Sequence, residues 1–295
     1  MLFRIILPLA FVFLWASAFL AAKVGVQHST PFAMLLIRFA LVSLLFALIL
    51  GVAYGVRRRR LSFPTMPVTG LTALVGITLH VGYLGSVFVA VSLGLQAGIA
   101  ALIVSLQPLL ASGLAIFLFA ERLRPVQMVG MVAGLGGVFL VLLPKIGGEM
   151  PPLGLASVTF GLFAVTGGTL LQKRIGGKID LLTSNLVQAT AASAVLGLIC
   201  LTVEAPQVSW QLPFTLSLAW QVLMVSGGAY VILMVLIQRG TMAAVSSLTF
   251  LVPPVTAMLA ALGFDEPLTF LGIVGFCLTS AGVYMVTANA ARRDS

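Results

Sequence analysis

The chain has 295 residues, 60% of them apolar and 8% charged, with a mean hydropathy of +1.18. A water-soluble domain carries about 25% charged residues, so a soluble globular fold is excluded and lipid is the main solvent. The net charge of +9 is read as a topology signal, not a nucleic-acid footprint, because in a membrane chain the placement of Lys and Arg matters more than their sum.

Runs of about 20 apolar residues cross a bilayer as helices. Ten such runs follow one another, at 4–22, 33–54, 67–90, 97–119, 126–143, 153–172, 182–203, 216–237, 243–263 and 268–288. The first carries Trp15 and Ser17. Its Ala16-Ser17-Ala18 mimics a signal-peptidase site, but cleavage would destroy the pairing of spans 1 and 6, so the run is read as a retained helix. Span 2 holds Arg38, span 3 His80 and Tyr83, and span 4 Gln107 and Pro108. The glycines at 130 and 134 put a GxxxG in span 5, and Gly272 and Gly275 crowd span 10. Small residues let helices approach closely, so these two spans are read as scaffold. Cys200 and Cys277 lie in apolar runs and are read as packing residues. The connections are short, the longest running from Arg57 to Met66. No soluble catalytic or nucleotide-binding domain fits between spans. Gly176-Gly177-Lys178 lacks the first Gly and the Ser/Thr of a phosphate loop. No cofactor or metal is expected.

Lysine and arginine fix the expected orientation. With the N-terminus inside, cytoplasmic segments hold Arg4, Arg57 to Arg60, Arg122, Arg124, Lys173, Arg174, Lys178, Arg239, Arg292 and Arg293. External segments hold Lys23 and Lys145. This asymmetry places both termini in the cytoplasm. Arg57 to Arg60 are read as a topology anchor, with anionic-lipid recognition second.

The second half repeats the first. Pro108, Glu121, Gly130 and Gly137 recur as Pro253, Glu266, Gly275 and Gly282, at a constant offset of about 145 residues. Apolar composition alone does not put a Pro, a Glu and two Gly in register. Five spans per half is an odd number, so the halves enter the membrane from opposite sides. Lys23 then matches Lys173, and Arg38 matches Gln188. The expected fold is all-α and integral to the membrane: ten transmembrane helices as two inverted five-helix repeats, 4–143 and 153–288. Inverted halves can exchange conformations, which yields inward-open and outward-open states.

The stretch FVAVSLGLQAGIAALIVSLQPLLASGLAIFLFAERLRPVQMVGMVAGLGGVFLVL resembles the EamA-type module of the drug/metabolite transporter superfamily. It has an aromatic-Ala pair, a small-residue turn, a mid-helix Pro, a Glu-Arg-Leu stop and a Gly-rich last helix. LWASAFLAAKVG and IRFALVSLL resemble the opening of that module, and SSLTFLVPPVTAMLAALGFDEPLTFLGIVGFCLTSAGVYMV is its second copy with more drift. The resemblance implies ten helices, cytoplasmic termini and a central cavity walled mainly by helices 1, 3, 4, 6, 8 and 9. Members commonly export amino acids or related metabolites.

Polar groups at bilayer depth are costly and face a cavity or a partner helix. His80 and Tyr83 share a face; the imidazole is read as a substrate ligand or proton carrier against a plain packing histidine. Gln107 precedes Pro108, whose ring frees the carbonyl near Val104; Pro253 and Pro254 do the same near Thr249 and Phe250. Pro108 and Pro253 are therefore read as cavity-shaping or hinge residues, against simple packing kinks. Trp15 offers an aromatic wall and Ser17 a hydroxyl. Thr159, Thr166 and Thr169 share a helical face, although threonine often bonds its own helix. Tyr230 with Ser226, and Ser246 with Ser247 and Thr249, are weaker candidates. Arg38 has no carboxylate at similar depth. Capping a neighbouring helix or snorkelling is favoured for it over binding a substrate carboxylate.

No Asp or Glu lies mid-membrane, which argues against the proton-for-cation exchange of small multidrug exporters and against a metal-dependent enzyme. The sequence thus points to an inner-membrane permease of a bacterial plasma membrane. Its expected partners are a small-molecule substrate and the bilayer, as a monomer or weak homodimer. It would export small polar metabolites, amino acids or derivatives foremost, with Trp15, His80, Tyr83, Gln107, Thr166, Tyr230 and Ser246 as substrate contacts. Nucleobases, sugar derivatives or lipophilic drugs are the alternative cargo. A membrane-embedded enzyme is remote, since His80 lacks a nucleophile–base partner set.

Overall fold

The computed structural model describes residues 2–57, 65–111, 114, 125–143, 150–175, 178–229, 231–232, 235–236, 248, 251–266 and 268–290. The helices are α1 (Leu2–Val26), α2 (Pro31–Arg57), α3 (Met66–Ser92), α4 (Ala97–Ala111), α5 (Pro125–Leu142), α6 (Pro152–Ile175), α7 (Leu181–Thr202), α8 (Leu212–Ala229), α9 (Val252–Phe264) and α10 (Phe270–Ala290). Six of these, α1, α2, α3, α6, α7 and α8, are long and apolar enough to cross a membrane among the described residues. The other four are apolar over shorter described stretches. The sole pairing of extended backbone among the described residues is an isolated bridge between Ser29 and Val208.

Prolines open many of these helices, because the first turn has no intrahelical acceptor for the N–H that proline lacks. Pro31, Pro125 and Pro152 stand first, and Pro67, Pro213 and Pro253 lie in the opening positions. Carboxylates serve other helix starts, where free N–H groups and the helix dipole attract negative charge. Asp180 Oδ1 accepts from Thr183 N at 3.0 Å. Glu204 Oε1 accepts from Phe32 N and Ala33 N, both at 3.0 Å, and so caps α2 from the far end of α7.

Two clusters of buried side chains hold the bundle. One gathers residues of α1, α4, α5, α6, α9, α10 and the second half of α3, among them Phe11, Phe19, Leu102 and Phe276. The other gathers α2, α7 and α8 around Met34, Phe39, Phe46, Leu196 and Phe214. The outer faces stay apolar: Leu41, Leu44, Leu48 and Val52 form an exposed stripe at helical spacing on α2. In water such a stripe would be an aggregation hazard, and in lipid it is the solvated face.

Helices α5 and α10 pack against each other along their lengths. A Cβ on Gly275 would come within 2.5 Å of the Gly137 carbonyl oxygen, and one on Gly282 within 2.5 Å of the Gly130 carbonyl oxygen. The repeated glycines that align Gly130 and Gly137 with Gly275 and Gly282 are thus the points where two backbones touch. Gly282→Leu should therefore overpack this contact at a cost of roughly 1–3 kcal/mol. Thermal unfolding in detergent should show the lower midpoint, and an unchanged midpoint would mean the helices separate freely.

Candidate functional site

A cavity of about 350 Å³ opens at the seam between the two clusters, lined from α1, α2, α3, α4, α6, α7 and α8. Sites for small ligands span about 300–1,000 Å³, so this one suits a single small molecule. Its wall is mostly aromatic and aliphatic, with Trp15, Phe19, Phe39, Phe46 and Phe88 among the lining residues. None of the described lining residues is acidic.

Local structure explains which side chains reach the cavity. In α3 the segment Ile77–Leu84 is π-helical, and in α8 the segment Trp220–Ala229 is too. A π segment shifts the phase of the side chains beyond it and recurs at functional sites. The first carries His80 and Tyr83 to the cavity, and the second carries Ser226. The His80 ring lies against the Phe39 ring, with centroids 4.4 Å apart and planes 29° apart. Trp15 packs on Phe11 at 5.4 Å. On α4, the turn at Ser105–Leu106 interrupts the helix just ahead of Pro108, as expected where a proline removes a backbone donor. Gln107 follows this turn, lines the cavity, and donates from Nε2 to Thr169 Oγ1 at 2.8 Å.

Arg38 is the charged group of this site. It is 5% exposed and lines the cavity. Its Nη1 donates to Gln221 Oε1 at 2.7 Å and its Nη2 to Ser226 Oγ at 3.3 Å. Its Nε has no partner among the described residues. The expectation that Arg38 caps backbone carbonyls or snorkels is not what the structure gives: it bonds side chains inside the bundle. A guanidinium facing lipid could not be solvated, so α2 turns Arg38 inward. The expected cavity wall is also widened by two helices. Helices α2 and α7 line it, through Arg38 and Asn185, while no described residue of α9 does.

Trp15, His80, Tyr83 and Gln107 are thus brought together around one cavity. Thr166 is buried in packing, with its Oγ1 donating to Leu162 O at 2.7 Å. Its neighbour Thr169 reaches the cavity instead, while Thr159 is exposed. Ser17 lies off the cavity; its Oγ accepts from Trp220 Nε1 at 2.9 Å and donates to Leu14 O. Pro253 sits in the opening turn of α9, where its missing N–H needs no acceptor, not at a kink within a described helix. Tyr230 and Ser246, like Ser247, Thr249, Phe250, Glu121 and the arginines at 58–60, lie outside the described residues. Sequence reasoning did not single out Phe39, Asn185 or Gln221. Listing every amide within an apolar run would have found Asn185 and Gln221, and nothing in the sequence marks the π segments.

At one end of the bundle Lys23 Nζ and Glu266 Oε1 form an ion pair at 2.6 Å, joining α1 to the α9–α10 connection. The same Oε1 accepts from Ala97 N at 3.4 Å, at the start of α4.

A helical membrane protein enclosing an amphipathic cavity in its middle has the build of a small-molecule carrier. The EamA-like transporter family matches the chain twice, over residues 2–143 and 152–288, and the chain belongs to that family. It is 25% identical to an uncharacterized transporter, YvbV, of Bacillus subtilis, across 97% of this chain and 92% of that protein. It is 26% identical to a probable amino-acid metabolite efflux pump of Salmonella typhimurium, across 95% and 93% of the two chains. A solved crystal structure superposes with a TM-score of 0.66 at 21% identity, covering 98% of each chain, which shows a shared fold. Family and relatives indicate a transporter rather than an enzyme.

Gln221 is fully buried. Gln221→Leu should leave Nη1 of Arg38 without its acceptor, at a cost of about 1–3 kcal/mol. A drop in thermal midpoint checks this, and a stable variant would show that the guanidinium finds another partner.

Proposed function

We propose that this protein is an inner-membrane permease that exports small polar metabolites, amino acids or their derivatives first among them, by alternating access. The observation that carries the reading is the cavity at the seam of two packed clusters, sized for one small molecule and furnished with a few polar side chains in an apolar wall. The relative described as a probable amino-acid metabolite efflux pump supports the cargo class.

Ten spans in two inverted five-helix units is the architecture that goes with this. It is supported by the family's double match, one per half. It is supported too by the recurrence of a π segment near the middle of both α3 and α8, which the repeat offset places in equivalent spans. In this reading both termini are cytoplasmic, and Lys23–Glu266 lies on the outer side. Trp15, His80, Tyr83 and Gln107 contact cargo, with Tyr230 and Ser246 carried forward from the sequence. Thr169 replaces Thr166. Pro108, beside the break in α4, and Pro253, opening α9, shape the moving helices.

Efflux of radiolabelled amino acids from preloaded proteoliposomes, with and without a pH gradient, tests the function. Saturable efflux that falls at least ten-fold in His80→Ala is expected. No flux of any amino acid or derivative by folded protein would sink the assignment.

The ion pair makes a second prediction. In a protein with both native cysteines replaced by serine and Ala22→Cys placed on the cavity wall, Lys23→Gln should speed labelling by an impermeant maleimide added outside. The two side chains are 23% and 10% exposed, and an ion pair that water still reaches adds about 1 kcal/mol, so the expected gain is a few-fold. Equal labelling rates would remove the pair from the outer closure.

A further inference from the structure

Among the described residues the cavity is lined by a cation and by no acid. Arg38 is buried, lines the cavity, and is served by two neutral acceptors, while Nε has none among the described residues. Neutral acceptors do not cancel a charge, and a buried charge without a counter-charge is strongly penalised. The described carboxylates are not available for the task. Asp180 and Glu204 cap α7 and α2, Glu266 holds Lys23, and Asp265 ends α9 at a left-handed turn, φ 53°. A planar fork with an unused donor, next to a cavity of small-molecule size, is the arrangement that receives a carboxylate. Around it the wall is apolar: Phe39 lies with its ring 5.4 Å from the guanidinium carbon, and Phe46 and Phe88 line the same space.

We propose that Arg38 is the cargo-binding residue for a carboxylate, and that the cargo is an apolar monocarboxylate anion whose amino group is dispensable. This rests on reading the cavity as a transport site. It sharpens the cargo class, because a cavity without a described acid offers no counter-charge to an ammonium. Deaminated or N-acylated amino acids, which keep the carboxylate and shed the positive charge, fit it better than free amino acids. Cations and carboxamides fit it worst. Gln221 and Ser226 orient the guanidinium and are positioning residues.

Matched acids and amides test this on the full-length protein by equilibrium dialysis in detergent, with flux in proteoliposomes. The probes are 3-phenylpropanoate and 3-phenylpropanamide, N-acetylphenylalanine and its amide, phenylalanine and phenylalaninamide, and benzoate and benzamide. Wild-type protein should bind 3-phenylpropanoate and N-acetylphenylalanine at least ten-fold tighter than their amides, and at least as tightly as phenylalanine. Arg38→Gln should abolish that preference. Gln221→Glu, nearly isosteric, sets a carboxylate against Nη1; it should fold with an equal or higher thermal midpoint and also lose the preference, since the charge is then neutralised from within. Amides that bind wild-type protein as well as the acids, or a folded variant of either kind that keeps the acid preference, would overturn the proposal, as would failure of every carboxylate to bind. The wild-type comparison does not depend on any variant folding. Transport of phenylalanine and its amide alike would sink the anion site and leave the amino-acid reading standing. Transport of benzoate that depends on Arg38, with no flux of any amino-acid derivative, would do the reverse.

Discussion

Hydrocarbon offers no hydrogen bonds, and that constraint decides most of what this chain does with its polar groups. Every peptide group at membrane depth has to be satisfied by protein, which makes the spans helical. The hydroxyls follow suit: Thr72, Ser86, Thr166 and Ser193 all donate to carbonyls one turn back. At the helix ends the few carboxylates are taken up by exposed backbone donors and by Lys23. With so little acid in the chain, using it at the ends leaves none of the described carboxylates for the centre. The unbalanced charge of Arg38 is thus a product of the same economy that stabilises the helix starts.

The two π segments give the centre its shape. They bring His80, Tyr83, Gln221 and Ser226 toward one region from α3 and α8. Helices α5 and α10 contribute no described residue to the cavity. Glycines at the α5–α10 contact bring backbone against backbone, a stiff joint suited to a frame. The cavity is surrounded by α1, α2, α3, α4, α6, α7 and α8, and α1 and α8 are tied by the side-chain contact of Trp220 on Ser17.

Hydropathy and the internal repeat made the helical spans, the paired glycines and the family legible in the sequence, because lipid solvation and close backbone approach each demand particular residue types. Trp15, His80, Tyr83 and Gln107 could be named because aromatic and polar residues stand out in an apolar run. What stayed hidden depended on phase. Helical spacing set Thr166 and Thr169 on one face, yet one is packed away and the other meets Gln107. Arg38 was visible as an anomaly, but its partners come from a helix about 185 residues further on, and that crossing is a tertiary fact. The inward turn of α2 and α7 is written in the lipid-facing stripe of Leu41, Leu44 and Leu48 only once the opposite face is known to be Arg38.

The repeat sets Arg38 against Gln188, which is buried and bonded to Gln172 and Ser184. One half of the pair therefore carries a charge and the other a dipole. Any rearrangement that shifts Arg38 along the membrane normal does electrical work, about 2.3 kcal/mol per elementary charge for each 100 mV of potential crossed. An anion seated on the guanidinium cancels that work, whereas a zwitterion leaves it in place. In the proposed cycle the membrane voltage would thereby bias the return of the unloaded protein more than the passage of an anionic cargo, and give the carrier a direction.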